Sequence, residues 1–171
     1  IRLTSGEYRA ESAGNSIKVE KAGGGFVVTD SNGTRTMYGL TAAGRQEDAL
    51  GRASVWYPEL VVHLSGQSIE YTYAHDLGRV YLASVGWGPM VGASRMYQVS
   101  LDYDRSRFDP ILSYRSGMRV ATRWRLQAVT VWAKASAAAT ATAAALGRYQ
   151  LSYDDSFAVS RLSSVVMSGY Q

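Results

Sequence analysis

The chain contains no cysteine, only two histidines and only three prolines among its 171 residues. Without cysteine it forms neither a disulfide framework nor a thiolate metal site. The absence of cysteine does not identify the cellular compartment of the protein. Charged residues make up 19% of the chain, and no basic run of four or more concentrates the formal net charge of +4 into a nucleic-acid footprint. No apolar run approaches the roughly 18 residues of a membrane span. We therefore expect no nucleic-acid partner and no direct membrane insertion by this segment.

The hydrophobic content of 46% is enough for one ordinary core. A chain of this length buries about 70% of the surface that it exposes when unfolded. We expect a single β-rich domain over residues 1–171. The first residues, "IRLTSGEY", and the last, "SVVMSGYQ", are both typical of strand interiors. We therefore expect the chain to be a segment of a larger protein.

Apolar and polar residues alternate along most of the chain, which is the period of a pleated strand. This pattern predicts about nine to eleven short strands. "GFVVTDSNGTRTMYG" predicts a hairpin with a two-residue turn at Asn32-Gly33, because both turn positions favour positive φ. "SVWYPELVVHL" and "QSIEYTYA" predict a second pair, with Pro58 at an edge or a bulge because it cannot donate to a ladder. The other predicted strands are "RVYLASVGW", "MYQVSLDYD", "MRVATRWRLQAVTVWA", "RYQLSYD" and "SRLSSVVM".

A tract of small residues, "AKASAAATATAAALG", interrupts the strand pattern from residue 133 to residue 147. Alanine has the highest helix propensity, so residues near 135–146 could form a short helical turn. An isolated helix of this length without an apolar stripe is marginal in water. We favour a flexible loop between two strands.

Two stretches share one pattern: "IEYTYAHDLGRVYLASV" from Ile69 and "YQLSYDDSFAVSRLSSV" from Tyr149. When Tyr73 is aligned with Tyr153, the other matches are Ile69 with Tyr149, Tyr71 with Leu151, Leu82 with Leu162, Ser84 with Ser164 and Val85 with Val165. A third, weaker copy in "YQVSLDYD" places Val99, Leu101 and Tyr103 at the same spacing. Each unit predicts a strand, a polar turn and a return strand. Two hairpins rich in Tyr and Val could also match by chance.

The residues that could carry chemistry favour a structural interpretation. His63 follows an apolar strand, His75 lies in a predicted turn, and no Gly-x-Ser-x-Gly elbow frames a nucleophile. Asp154 and Asp155 could bind a cation or serve glycoside hydrolysis, but acids at the start of a hairpin turn usually form the turn. "GGG" at 23–25 lacks the Lys-Ser/Thr ending of a phosphate loop and predicts a flexible turn. We predict no catalytic, cofactor-binding or metal-binding residues, and no cofactor.

Four arginines surround a tryptophan in "YRSGMRVATRWRLQ": Arg115, Arg119, Arg123 and Arg125 lie around Trp124. In a continuous strand, Arg119, Arg123 and Arg125 share one face, opposite Val120, Thr122, Trp124 and Leu126. Such a stripe could contact acidic cargo, a phosphate backbone or a neighbouring carboxylate. We favour a structural stripe on the solvated or lumen-facing side, because nucleic-acid binders usually carry stacking aromatics on the same face.

The unit "YTYAHDLGRVYLASV" resembles the tyrosine-aspartate repeat of Rhs-type proteins. Four stretches in this order resemble the N-terminal region of SpvB-type virulence proteins, which is shared with the B subunits of insecticidal toxin complexes: "FVVTDSNGTRTMYGLTAAGRQED", "VWYPELVVHLSGQSIEYTY", "LSYRSGMRVATRWRLQAVTVW" and "YQLSYDDSFAVSRLSSV". The resemblance covers nearly the whole chain. It departs after Trp56, where Leu60 and His63 replace an Arg and an Asp, and at the Ala-rich tract, which replaces a short connection.

The resemblance implies an all-β fold in which antiparallel hairpin repeats form a curved sheet, part of a shell like those of Rhs and toxin-complex B proteins. In those families the shell encloses a cytotoxic polypeptide until it is delivered. The implied function is a non-enzymatic structural module of a secreted, extracellular bacterial toxin that is cytoplasmic before export. The implied partners are adjacent hairpin repeats of the parent chain, a toxin-complex C-type subunit or an enclosed toxin cargo.

Two other classes of function remain open from the sequence. A self-contained β-domain could bind carbohydrate or protein at a cell surface through Trp56, Trp87, Trp124 or Trp132. A small hydrolase would need convergent carboxylates, or a histidine within hydrogen-bond reach of a nucleophile. Open edge strands favour a piece of a shell, whereas a binding module should have closed edges.

Overall fold

The computed structural model describes residues 7–9, 17–136, 138 and 140–170. Within these residues the chain forms fifteen strands and one 3₁₀ helix, Ala42–Gly44. The strands are β1 (Glu7–Arg9), β2 (Lys18–Ala22), β3 (Gly25–Thr29), β4 (Arg35–Tyr38), β5 (Arg45–Glu47), β6 (Ala53–Trp56), β7 (Pro58–Val62), β8 (Ser68–Asp76), β9 (Arg79–Val91), β10 (Ser94–Asp104), β11 (Ile111–Ser113), β12 (Val120–Thr122), β13 (Arg125–Lys134), β14 (Ala143–Asp154) and β15 (Arg161–Gly169).

Eleven strands form one antiparallel sheet in the order β1-β2-β3-β4-β7-β8-β9-β10-β13-β14-β15. Spatial order follows chain order except where two small hairpins, β5–β6 and β11–β12, leave the sheet. The predicted all-β architecture, a curved sheet of antiparallel hairpins, is confirmed. The main sheet has eleven strands, within the predicted number of about nine to eleven, and the two small hairpins add four strands beyond that number.

Two segments predicted as single strands are interrupted. "SVWYPELVVHL" divides at Tyr57 into β6 and β7, and Pro58 pairs with Tyr38 at a bulge, as predicted. "MRVATRWRLQAVTVWA" divides between β12 and β13, because the backbone N–H groups of Arg123 and Trp124 donate to the hydroxyl of Tyr81 at 3.1 and 3.2 Å. The predicted single strand face of arginines is therefore wrong.

The hairpin at Asn32-Gly33 is confirmed, but its predicted two-residue turn is wrong. The Asp30 N–H donates to the Thr34 carbonyl at 3.0 Å, which encloses a three-residue loop. The Asp30 carboxylate favours this longer loop because it accepts the N–H groups of Asn32 and Thr34, both at 2.9 Å. The two-residue turn with positive φ at both positions lies instead at Leu77-Gly78, with φ of 43° and 80°.

The Ala-rich tract is a loop only in part. β13 ends at Lys134 and β14 begins at Ala143, so residues 135–142 connect the two strands. Residues 137 and 139 lie outside the described part of the chain, and none of the other connecting residues is helical. Ala143, Ala144 and Ala145 pair with β13 and extend the sheet into the predicted loop. Alanine carries too little apolar surface to mark a strand by alternation.

Buried hydrophobic side chains are few and lie mainly where β12 meets β9. Val80 and Tyr81 of β9 and Val120 and Ala121 of β12 are each at most 6% exposed. The Ala121 N–H donates to the Leu77 carbonyl at 3.1 Å, which fixes the small hairpin onto the β8–β9 turn. The β11–β12 hairpin thus covers one end of the main sheet, whose other side chains are mostly half-buried.

Leu77 adopts a left-handed backbone conformation that disfavours leucine and suits asparagine. We expect Leu77→Asn to raise the free energy of unfolding in urea by about 1 kcal/mol. Leu50→Asn is the control, because Leu50 is a 77% exposed turn residue without positive φ. It should change stability by no more than about 0.5 kcal/mol. Equal effects of the two substitutions would contradict the assignment of strain to Leu77.

Candidate functional site

Tyr73, Tyr103 and Tyr153, the three aligned tyrosines, occupy equivalent places in β8, β10 and β14. Each follows a β-bulge in the pairing with its return strand. The pairs are Tyr73 with Leu82, Tyr103 with Leu126 and Tyr153 with Leu162, and the residues left unpaired are Ala83, Gln127 and Ser163. These residues are called the bulge tyrosines below. The three hairpins therefore share one register. Their resemblance to the tyrosine-aspartate repeat of Rhs-type proteins stays a prediction.

The hydroxyl group of each bulge tyrosine donates a hydrogen bond to a backbone carbonyl of the preceding hairpin. The Oη atoms of Tyr73, Tyr103 and Tyr153 lie 2.5, 2.8 and 2.6 Å from the carbonyl oxygens of Pro58, Leu82 and Leu126. Every acceptor is the residue that pairs with the tyrosine one hairpin earlier. Burial raises the pKa of all three phenols, so they stay protonated and can donate. The bulge tyrosines thus join consecutive hairpins.

Tyr38 marks a fourth hairpin with the same bulge. It pairs with Pro58, and Glu59 is the residue left unpaired. The carboxylate of Glu59 accepts the Thr41 N–H at 2.9 Å, which holds the segment that leaves the sheet after β4. The sequence alignment missed this hairpin because residues 39–57 separate its two strands.

Arg123 and Arg125 bind neighbouring carboxylates. The Nε of Arg125 lies 3.0 Å from Asp104, and its two Nη atoms lie 2.6 and 2.9 Å from the two oxygens of Asp155. Arg123 makes a bidentate pair with Asp76 at 2.9 and 2.6 Å. Of the targets considered from the sequence, a neighbouring carboxylate is the one that both arginines contact.

The ion pair of Arg107 with Asp109 extends the contacts of Arg125. The guanidinium of Arg107 binds Asp109 at 2.6 and 2.9 Å, and Asp109 accepts the Ser160 N–H at 2.9 Å. The Ser160 hydroxyl donates to Asp155 at 2.8 Å. We call the set Asp104, Arg107, Asp109, Arg125 and Asp155 the arginine cluster. It connects the segment after β10, the start of β13 and the turn between β14 and β15.

The remaining candidates lie apart from one another. The Nδ1 of His63 accepts the Ser65 N–H at 3.2 Å within a turn. His75 lies inside β8 and not in the predicted turn, with its Nε2 at 2.7 Å from the Ala43 carbonyl. Asp154 accepts the Ser156 N–H at 2.9 Å, as predicted for a turn-forming acid, whereas the role of Asp155 was missed. Gly23 and Gly24 form a turn, as predicted, whereas Gly25 belongs to β3 and not to the predicted turn at 23–25.

Neither a metal centre nor a membrane helix emerges from the described residues. Among them no group of three or more His, Asp or Glu side chains is arranged to hold a metal ion. In the same part of the chain no helix is long and apolar enough to cross a membrane.

Three of the four tryptophans contact other residues of the sheet through their indole N–H groups or by ring stacking. The indole N–H groups of Trp56 and Trp132 donate to Gly24 and Ser100 at 2.8 and 2.9 Å, and Trp124 stacks on Tyr81 at 4.6 Å. Trp87 is the most exposed of the four, at 36%, and stacks on the 37% exposed Tyr97 at 5.9 Å. Their rings line an open cleft of about 410 Å³ beside Gln67, Ser68, Ile69 and Gly88.

β15 is an edge of the main sheet. It pairs with β14 along one side, and all nine of its residues are exposed. Leu162, Val165 and Met167 are 55%, 53% and 65% exposed. An edge strand with this much exposed apolar surface is poorly protected against pairing with a further strand.

The sheet is shared with solved virulence and toxin structures. The N-terminal domain of effector protein SpvB from Salmonella typhimurium strain LT2 aligns with 95% of this chain at a TM-score of 0.79 and 19% identity. A TcdB2-TccC3 structure aligns with 96% at a TM-score of 0.78 and 19% identity, and a TcdB2-TccC3-Cdc42 structure with 94% at 0.77 and 19%. The chain has the SpvB and toxin-complex fold. The predicted resemblance is thereby confirmed at the level of the fold.

This chain corresponds to only part of those structures. It covers 68% of the SpvB domain and 11% and 10% of the two TcdB2-TccC3 chains. No family model and no curated protein sequence matches it.

In the SpvB-like sheet, the bulge tyrosines and the arginine cluster belong to one structural unit. The guanidinium of Arg125 lies 4.6 Å above the ring of Tyr153, and Asp104 directly follows Tyr103. Tyr153 in turn bonds to the carbonyl of Leu126, next to Arg125. The phenol bonds hold neighbouring strands while the arginines hold the segments that join them.

Removing a bulge hydroxyl should destabilise the sheet without emptying space in it. We expect Tyr73→Phe, Tyr103→Phe and Tyr153→Phe each to lower the free energy of unfolding in urea by about 1 kcal/mol, because each leaves a carbonyl without its donor. Tyr114→Phe is the control, since Tyr114 is 63% exposed and has no hydroxyl bond in the described part of the chain. A loss as large in the control would rule out the proposed bonds as the cause.

Acid should weaken the arginine cluster. Hydrogen bonds from Arg107 and Arg125 lower the pKa of Asp109 and Asp155 below the unfolded value of about 3.9. Their stabilisation is therefore complete above about pH 5 and is lost as pH falls through the lower folded values. We expect the melting temperature of Arg125→Gln to depend less on pH between about 5 and 2 than that of the unsubstituted chain.

The matched control is Arg115→Gln, because Arg115 makes no ion pair among the described residues. Its melting temperature should follow the same pH profile as the unsubstituted chain. If Arg125→Gln also followed that profile, the cluster would not contribute to the acid sensitivity of the fold.

Proposed function

We propose that this chain is a non-enzymatic structural module that forms part of the wall of a β-sheet shell in a bacterial toxin-complex protein. The shell encloses a cytotoxic polypeptide and helps to deliver it. The observation that carries the proposal is the SpvB-like fold, with its eleven antiparallel strands in series. Because one fold can host many functions, the edges and connections of the sheet must also suit a wall.

The connections suit a wall because each bonds a hairpin to its neighbour alone. The bulge tyrosines bridge hairpin to hairpin, so the same contact can be used as many times as there are hairpins. Such a series has no natural end until its edge is covered. In the described part of the chain, the exposed strand β15 is one edge of this series.

The thin core suits the same role. Few of the described side chains are fully buried, and both the stacking of Tyr81 on Trp124 and the ion pair of Arg125 with Asp155 lie at hairpin ends. A sheet that packs against neighbouring wall and enclosed polypeptide does not need a second layer of its own.

The partners follow from the same proposal. The solved toxin-complex structures with this fold contain TcdB2 together with TccC3, and one of them also contains Cdc42. For this chain we propose adjacent hairpin repeats of the parent chain, and a toxin-complex C-type subunit or an enclosed toxin cargo. Its site of action would be extracellular, after synthesis in the bacterial cytoplasm.

A second candidate function is carbohydrate binding at a cell surface, favoured by the Trp87–Tyr97 cleft. Stacked rings beside the amide of Gln67 and the hydroxyl of Ser68 offer apolar faces and polar groups to a sugar. The shell remains the leading proposal because the SpvB-like fold extends over 95% of the chain, whereas the cleft is a local feature of a few residues.

Electron microscopy of the natural polypeptide that contains this chain tests the shell. We expect a hollow β-shell with this sheet in its wall, and an enclosed polypeptide that resists added protease. Val165→Lys should open the wall and speed digestion, because it places a charge on the apolar part of β15. Leu50→Lys, at a 77% exposed turn, should leave protection unchanged.

A solid domain appended to the outside of the protein would overturn the proposal. So would digestion of the polypeptide at the rate of its free form. A domain of that kind with glycan binding abolished by Trp87→Ala would establish the second candidate.

A further inference from the structure

The junctions between consecutive hairpins repeat one register. In each junction, the ladder begins two residues after the carbonyl that accepts a bulge tyrosine. Two residues after the acceptor Pro58, Leu60 pairs with Glu70. Two residues after the acceptor Leu82, Ser84 pairs with Ser100. Two residues after the acceptor Leu126, Ala128 pairs with Gln150. Each of these partners lies three residues before the tyrosine that reaches back.

The side chains at the next position of each junction also correspond. A valine of the return strand always faces a large apolar residue four positions before the tyrosine: Val61 with Ile69, Val85 with Val99, and Val129 with Tyr149. The three valines are all half-buried. Apolar contact across the junction therefore accompanies every tyrosine bond.

β15 has the residues that accept a bulge tyrosine in the interior junctions, but no strand of the described chain pairs with its outer side. Leu162 pairs with Tyr153 as Leu82 pairs with Tyr73, so its carbonyl corresponds to the acceptors of the interior junctions. Ser164 and Val165 follow at the positions of Ser84 and Val85. Val165 is 53% exposed, although its three counterparts are half-buried. No tyrosine hydroxyl reaches the Leu162 carbonyl within the part of the chain that the structure describes.

We propose that β15 receives a further β-hairpin whose first strand reads apolar-x-apolar-x-Tyr, in one defined register. The residue three before the tyrosine pairs with Ser164, the residue four before it covers Val165, and the tyrosine hydroxyl donates to the Leu162 carbonyl. The main-chain ladder supplies binding, and the tyrosine and its two apolar residues select the register. That this hairpin is the next repeat of a shell wall rests on the proposed function; the register itself does not.

Disulfide trapping tests the register directly, because the chain has no other cysteine. The full chain carries Ser164→Cys, and the probe is the peptide LGRYQLSYDD, which is residues 146–155 of this sequence. One peptide carries cysteine in place of Gln150, three residues before its tyrosine. The matched peptide carries cysteine in place of Ser152, the residue that faces Ser164 within the β14–β15 hairpin. Paired cysteines must bring their Cα atoms to within about 7 Å to form the bond.

We expect the Gln150→Cys peptide to form the disulfide faster than the Ser152→Cys peptide. Adding Tyr153→Phe to the faster peptide should reduce its non-covalent affinity for the unsubstituted chain about fivefold, the effect of losing one hydrogen bond. A second trap, Val166→Cys in the chain with Arg148→Cys in the peptide, should react like the first, because it is two residues along in the same register.

Three outcomes would overturn the inference. In the first, the Ser152→Cys peptide reacts as fast or faster, or Phe binds as well as Tyr. In the second, neither trap reacts although circular dichroism shows both chains folded, so β15 accepts no such strand. In the third, the Ser164→Cys chain forms a disulfide dimer in preference to either peptide, so the edge serves a second copy of this chain. A trapped register with no shell by electron microscopy would leave this inference standing and remove the proposed function.

Discussion

The bond between a bulge tyrosine and the carbonyl of the preceding hairpin is the contact on which the main sheet depends. Beyond the last ladder pair of each junction, the phenol of Tyr73, Tyr103 or Tyr153 spans the gap to the next strand. A buried phenol needs an acceptor, and the carbonyl beside the bulge supplies one. Where a second layer would hold an ordinary sheet, this one is held from hairpin to hairpin along its own plane.

The bulges also explain where the chain leaves the sheet. Both small hairpins, β5–β6 and β11–β12, arise from segments that follow a bulge, after Tyr38 and after Tyr103. The carboxylates of Glu59 and Asp104 hold the departing chain at these points, because they accept the N–H groups of Thr41 and Ser106. The arginine cluster then fastens the long connection after β10 to the turn before β15. Insertions are tolerated there because the ladder is already interrupted by the bulge.

In the SpvB-like fold, the pairing of neighbouring hairpins contributes both to the stability of the sheet and to its assembly. Few residues are fully buried, and the interior strands gain their burial from the hairpins on either side. The exposure of Val165, compared with Val61, Val85 and Val129, measures what an edge strand lacks. Stability that comes from neighbouring units increases with each unit added, which is typical of repeat architectures.

The sequence by itself determined the strand class, the spacing of the bulge tyrosines and the turn-forming roles of Asp154 and the glycines. These follow from side-chain period and local backbone preference, which act within a few residues. Only the tertiary structure decided the breaks at Tyr57 and at Arg123–Trp124, the place of His75 in a strand and the carboxylate partner of each arginine. Each of these depends on a group far away in the chain, such as the Tyr81 hydroxyl that takes the backbone N–H groups of Arg123 and Trp124. Contacts of that kind leave no periodic trace in the sequence, because they are set by how the hairpins stack.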